Sequence, residues 1–78
     1  MTEEKADSVL DCRGLYCPEP IFRTREEINK LESGQVLEVI ADDPASYEDL
    51  QRWAKNTGNE LLELRKEGYD VIALIKKK

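Results

Sequence analysis

Arg13-Gly14-Leu15-Tyr16-Cys17-Pro18-Glu19-Pro20 stands between a short alternating apolar run and a long charged one. Proline is tolerated in the first turn of a helix, because the N–H it lacks would find no partner there. Pro18 and Pro20 therefore predict first-turn positions, with Cys17 at or beside the N-cap. Upstream, Ser8–Cys12 alternates as a short strand with Leu10 and Cys12 on one face, and Arg13-Gly14 breaks the pattern. A strand, a loop carrying a thiol and a helix thus follow one another, and this junction sets the order of everything downstream.

The helix is expected over residues 18–32. Ile21, Thr24, Ile28 and Leu31 recur at spacings of three and four and form one narrow buried stripe, with charged residues between them. Ser33-Gly34 ends it, Gly34 being suited to a left-handed C-terminal position. Val36–Ala41 is the strongest strand signal, β-branched and interior in character, with Leu37, Val39 and Ala41 on one face and Val36 and Ile40 on the other. Asp42-Asp43-Pro44-Ala45-Ser46 is a loop with two candidate caps, Asp43 before Pro44 and Ser46 with Asp49 three residues on. A second helix then runs to about Thr57, burying Leu50, Trp53, Ala54 and Thr57, with Tyr47 extending that side, until Gly58 stops it. Residues 61–66 and 69–75 read as two strands joined through Glu67-Gly68, a hairpin signal.

The order β-α-β-α-β-β begins with a parallel crossover. Two helices cover one face of four strands but not both. The expected fold is therefore α/β, a two-layer sandwich with a four-stranded mixed sheet and both helices on one face. The other face would expose an apolar patch built from Val36, Ile40 and one alternating set of the last strand, either Ile72 and Leu74 or Val71 and Ala73. Residues 8–78 form one domain, and residues 1–7 a flexible N-terminus.

The chain has 78 residues and a net charge of −5, with 12 Lys and Arg against 17 Asp and Glu. Broad binding to a phosphate backbone needs clustered cations, so stable nucleic-acid binding is not expected. Lys76-Lys77-Lys78 is the one basic run and reads as solubilising. No apolar run reaches membrane-spanning length, and the acidic start is unlike a signal peptide, so no membrane insertion and a cytoplasmic location are expected. With two cysteines and no histidine, the chain lacks a four-ligand zinc set and a Cys–His catalytic pair. No metal and no cofactor are expected.

Cys17 is the residue with a claim to chemistry. A helix N-terminus favours an anion, but two first-turn N–H groups are missing at Pro18 and Pro20. Glu19 and Ile21 remain as near donors; Glu19 opposes a thiolate by its charge, and Arg13 offsets it. The expectation is an exposed, modestly activated thiol. Position alone leaves open the alternative of a small apolar residue that only shapes the helix start. Cys12, in register with Leu10, reads as core or strand-end packing. Trp53 reads as core rather than a stacking platform, and Asp42-Asp43-Pro44 as a helix-entry turn rather than paired acid and base.

Arg13-Gly14-Leu15-x-Cys17-Pro18-x-Pro20, Gly34, Asp43-Pro44 and the segment from Trp53 to Gly58 together resemble the TusA/SirA-like sulfur-carrier proteins, from about Leu10 through the last strand. The resemblance implies a βαβαββ sandwich, with Cys17 carrying a persulfide sulfur and Arg13, Gly14, Pro18, Glu19 and Pro20 supporting it. It further implies a sulfur-donor protein such as a cysteine desulfurase, and an acceptor protein in tRNA thiolation or other sulfur metabolism. Asn59 departs from relatives that have a histidine there. Cys12 lies outside the motif, and a resolving attack by it on a Cys17 persulfide goes beyond what the family implies. The reading from a different class is a non-catalytic regulatory or interaction module that uses the open sheet face.

Overall fold

The computed structural model describes residues 6–16 and 18–78. Its elements are β1 (Ser8–Cys12), α1 (Glu19–Lys30), β2 (Val36–Ala41), α2 (Ser46–Thr57), β3 (Glu60–Glu67) and β4 (Asp70–Lys76). The sheet order is β1-β2-β4-β3, with β1 parallel to β2 and the other two pairs antiparallel. The mixed sheet follows from the connections. A helix between β1 and β2 carries the chain back to start a parallel neighbour, whereas the two-residue Gly68-Tyr69 turn forces β3 and β4 antiparallel. Gly68 has φ +63 and Tyr69 does not have positive φ, so the turn needs glycine at its first central position only. The loop is one residue later than the Glu67-Gly68 link expected from sequence.

Register assigns the two sheet faces. Leu10 and Cys12, Leu37, Val39 and Ala41, and Val71, Ala73 and Ile75 lie on the helix side, where they form one core with Ile28 of α1 and Leu50 of α2. Both helices therefore cover the same face. The alternating pattern of β4 was ambiguous in sequence; pairing of Ile40 with Ile72 and Glu38 with Leu74 puts Ile72 and Leu74 on the opposite side. That side is less apolar in effect than its sequence suggests. Val36, Ile72 and Leu74 are only 7–8% exposed, and their strand partners on this face include Glu38, Glu63, Arg65 and Lys76, long charged side chains of the kind that screen apolar neighbours from water. Arg65 pairs with both Glu63 and Glu67, and these charges also blunt β3 as an outer strand.

Helix α1 is shorter than residues 18–32. Pro18 is its N-cap, so Pro20 alone of the two prolines sits inside the first turn, and Leu31 leaves the helix in an extended conformation. Gly34 has φ +90 but lies beyond the cap, in the turn to β2. Lys77 closes this end of α1 instead: its Nζ donates to the Leu31 carbonyl at 2.7 Å, and its backbone exchanges hydrogen bonds with Gly34 and Gln35. An ammonium there meets the negative end of the helix dipole, so the basic run expected to be solvated is partly structural. In α2 the expected Ser46 cap is not formed. Ser46 is buried in the first turn, Ala45 is the N-cap, and Asp43 Oδ1 accepts the Ala45 N–H in a local turn. Gly58, with φ +81, ends α2 as expected.

Candidate functional site

The loop between β1 and α1 is organised before the helix begins. Asp11 accepts the Arg13 N–H at 3.0 Å and takes the guanidinium through both carboxylate oxygens, at 3.0 and 2.9 Å. This bidentate contact holds the Asp11 carboxyl down to about 2, and the Arg13 guanidinium is in turn held more firmly protonated. Arg13 also lies 3.9 Å from Asp70 at the start of β4. The Leu15 N–H then donates to the Cys12 carbonyl at 3.2 Å, closing a four-residue turn. Within it Gly14 has φ +87 and Arg13 does not have positive φ, which is the type II pattern. A Cβ on Gly14 would touch nothing within 4 Å. Glycine is required there for its backbone conformation, not for space.

The Gly14 N–H reaches across the molecule and donates to Asp42 Oδ1 at 3.0 Å. The loop that precedes α1 is thereby tied to the one that precedes α2. Neither the length of the loops nor the turn chemistry of Asp42 signals this contact, because its partner is 28 residues away.

Cys17 lies outside the described residues. Its neighbours frame the position. Tyr16 is 77% exposed, and Pro18 and Glu19 are exposed as well, whereas Pro20 is fully buried. Two expectations about electrostatics change. The Glu19 N–H donates to the Tyr16 carbonyl at 2.8 Å and the Ile21 N–H to the Pro18 carbonyl at 3.1 Å, so both near donors are already committed to the turn. What the helix start offers an anion is its dipole, about half an elementary charge, rather than these two hydrogen bonds. Arg13 is committed to Asp11, and Glu19 pairs instead with Arg23, one turn on at 3.9 Å in a solvent-exposed pair. Thr24, fully buried one turn further, donates its hydroxyl to the Pro20 carbonyl at 2.7 Å.

Beside this helix start lies a shallow cleft of about 300 Å³ lined by Pro18, Ile21, Asp49, Arg52, Trp53 and Asn56. Trp53 packs against the core, as its place on the α2 stripe predicts, while part of its ring lines the cleft. Cys12 is fully buried among the core residues. Burial pushes its thiol above the ordinary value of 9.0; Arg23 opposes this, and Asp11 and Glu27 add to it. That environment makes a poor nucleophile and offers no path to a resolving role. Asn59, the departure from the family pattern, has a local structural role: its amide donates to Thr57 and its carbonyl accepts the Lys78 N–H.

Among the described residues no cluster of three or more His, Cys, Asp or Glu side chains is placed to hold a metal ion, and no helix is long and apolar enough to cross a membrane.

The family model for sulfurtransferase TusA matches residues 8–77. The sulfur carrier protein TusA of Allochromatium vinosum is 52% identical over 71 residues, which cover 91% of this chain and 93% of that protein. A putative sulfur carrier protein of Bacillus subtilis is 53% identical over 64 residues, covering 82% of this chain and 85% of its own. Among solved structures, the SirA-like protein from Desulfitobacterium hafniense matches with a TM-score of 0.78 at 28% identity, over 88% of this chain and 95% of that one.

Proposed function

Because this chain belongs to the TusA sulfurtransferase family, whose relatives here are named sulfur carriers, we propose that it carries sulfur as a persulfide on Cys17. The match along residues 8–77 is the observation that carries the reading. The geometry around position 17 supports it: exposed neighbours on both sides, a stiff proline-containing helix start and a loop held by side chains from two other segments. Arg13, Gly14, Pro18, Glu19 and Pro20 act here through backbone shape and local charge, and Cys17 supplies the reacting sulfur.

Loading is an exchange without net oxidation. The Cys17 thiolate attacks the outer sulfur of a donor persulfide, a new S–S bond forms, the donor's S–S bond breaks, and the donor cysteine leaves as a thiolate with the electron pair. Unloading is the same step with an acceptor thiolate as nucleophile. The donor is a cysteine desulfurase or a related persulfide protein. The acceptor is a protein of tRNA thiolation or another sulfur-using route, in the cytoplasm, and neither step draws on a bound cofactor or metal.

Incubation with a cysteine desulfurase and cysteine, followed by intact-mass and peptide-level measurement, tests this. The wild-type chain gains one sulfur on Cys17, and Cys17→Ser, with its fold checked by circular dichroism, gains none. Equal loading of the two proteins would refute the assignment.

A further inference from the structure

We propose that Asp42 is a positioning residue for sulfur transfer, acting as a latch on the peptide between Arg13 and Gly14; the proposal rests on the carrier reading of Cys17. Type I and type II turns differ chiefly by a flip of their central peptide, which reverses the direction of its N–H. In the turn from Cys12 to Leu15 that peptide belongs to Gly14, whose φ of +87 marks the type II form. Its N–H points to Asp42 Oδ1 at 3.0 Å. In the alternative turn the same N–H would face away from the carboxylate and the contact would be lost.

Two further contacts bracket the latch. Asp11 holds the Arg13 N–H just before the flippable peptide, and the Leu15 N–H is held by Cys12 just after it. The ends of the turn are thus secured by local contacts, and its central peptide by a residue from the β2–α2 loop. Tyr16 and Cys17 follow directly, and the Tyr16 carbonyl accepts the first N–H of α1. A flip at Gly14 would change the backbone angles of Arg13 and Gly14 and release the loop from Asp42, three residues before the thiol, while leaving the core residue Cys12 in place. Asp42 lies at the end of β2 and contributes to a small cavity of about 120 Å³ with Pro44, Lys66, Gly68, Tyr69, Asp70 and Val71. Its carboxylate sits one residue past the last paired residue of β2, which is hydrogen-bonded to both β1 and β4, a suitable anchor for a loop that must present one sulfur to another protein.

A small reagent reaches an exposed thiol from many directions, but transfer between two docked proteins tolerates little misplacement. The latch thus acts on transfer between proteins and hardly on intrinsic thiol reactivity. Asp42→Ala removes the acceptor, whereas Asp42→Asn keeps one carbonyl oxygen to accept the Gly14 N–H while losing the charge and exchanging the other oxygen for an amide NH2. The full-length wild type and both variants are compared by thermal melting, by amide exchange at Gly14, by loading of Cys17 with inorganic polysulfide, and by single-turnover transfer from a cysteine desulfurase persulfide.

Asp42→Ala is expected to speed Gly14 exchange and slow desulfurase transfer about tenfold, with polysulfide loading within about twofold of wild type; Asp42→Asn restores both values. An unprotected Gly14 amide in the wild type would overturn the latch. So would transfer at the wild-type rate in a folded Asp42→Ala, or an Asp42→Asn that behaves like Ala. If the wild type takes sulfur from neither source, the carrier reading fails, while the Gly14 exchange rates still decide whether Asp42 holds the turn.

Discussion

Cys12 is expected to be chemically silent in the folded protein, and the size of the effect follows from its burial. Its side chain is fully covered by the core and belongs to the strand that pairs with β2 through residues 8–12. A reagent reaches it only when that packing opens. Domains of this size are stable by about 0.05–0.15 kcal/mol per residue, or about 4–12 kcal/mol for this chain. Even the lower figure leaves an open population of only about one in a thousand. In Cys17→Ser, where Cys12 is the sole thiol, alkylation at neutral pH should therefore run at least about a thousandfold more slowly than that of an unstructured thiol.

The pH dependence has a definite sign. Burial raises the Cys12 thiol above its ordinary value in the folded state, so the folded chain holds this proton more tightly than the unfolded one. The associated stability is fully present below the unfolded value near 9 and is lost as pH rises from there through the folded value. Unfolding should release a proton in that alkaline window, and Cys12→Ala should abolish that release. The assay is a time course of intact mass with iodoacetamide, run with and without urea. Labelling in native buffer within about tenfold of the urea rate would refute the reasoning, since β1 would then be opening on its own. The same protection predicts that sulfide release from a persulfidated chain is unchanged by Cys12→Ser.

Two more outcomes concern the scaffold. Leu50→Ala, at a fully buried position where α2 meets the sheet, should cost about 2–5 kcal/mol, read as a lower urea midpoint with unchanged m-value; a loss under about 1 kcal/mol would mean that α2 is not packed as described. The Asp11 carboxyl, held at about 2 by Arg13, contributes stability above the unfolded value near 3.8 that disappears as pH falls toward 2. Asp11→Asn should flatten the melting temperature across that acid window, and an unchanged slope would dismiss the contact as inconsequential.

Much of this molecule was legible because its signals are local. Pro18 and Pro20 marked the start of α1 to within one residue, the stripe through Thr24 and Ile28 gave its buried side, and Gly58 marked the end of α2. The alternation of β2 assigned its two faces correctly. These features depend on backbone preferences and apolar periodicity, which each short segment carries by itself. The helix caps were less legible. Ser46 has the composition of a cap, but its side chain is drawn into the buried first turn of α2 while Asp43 serves the turn before it.

From residues alone, then, came the order of elements, the single core, the thiol singled out before a proline-rich helix start, and the family resemblance. The choice between the two alternating sets of β4 required its register against β2, because Val71 to Ile75 is apolar at every position. The commitments of the charges were likewise invisible. Arg13 serves Asp11 and Asp70 rather than balancing Glu19, Lys77 caps α1 rather than lying in solvent, and Asp42 holds Gly14. Each joins segments distant in sequence, or chooses one of several partners of similar charge. Polar contacts of this kind depend on a few tenths of an ångström and a donor angle, which exist only once the sheet and helices have been assembled around the core.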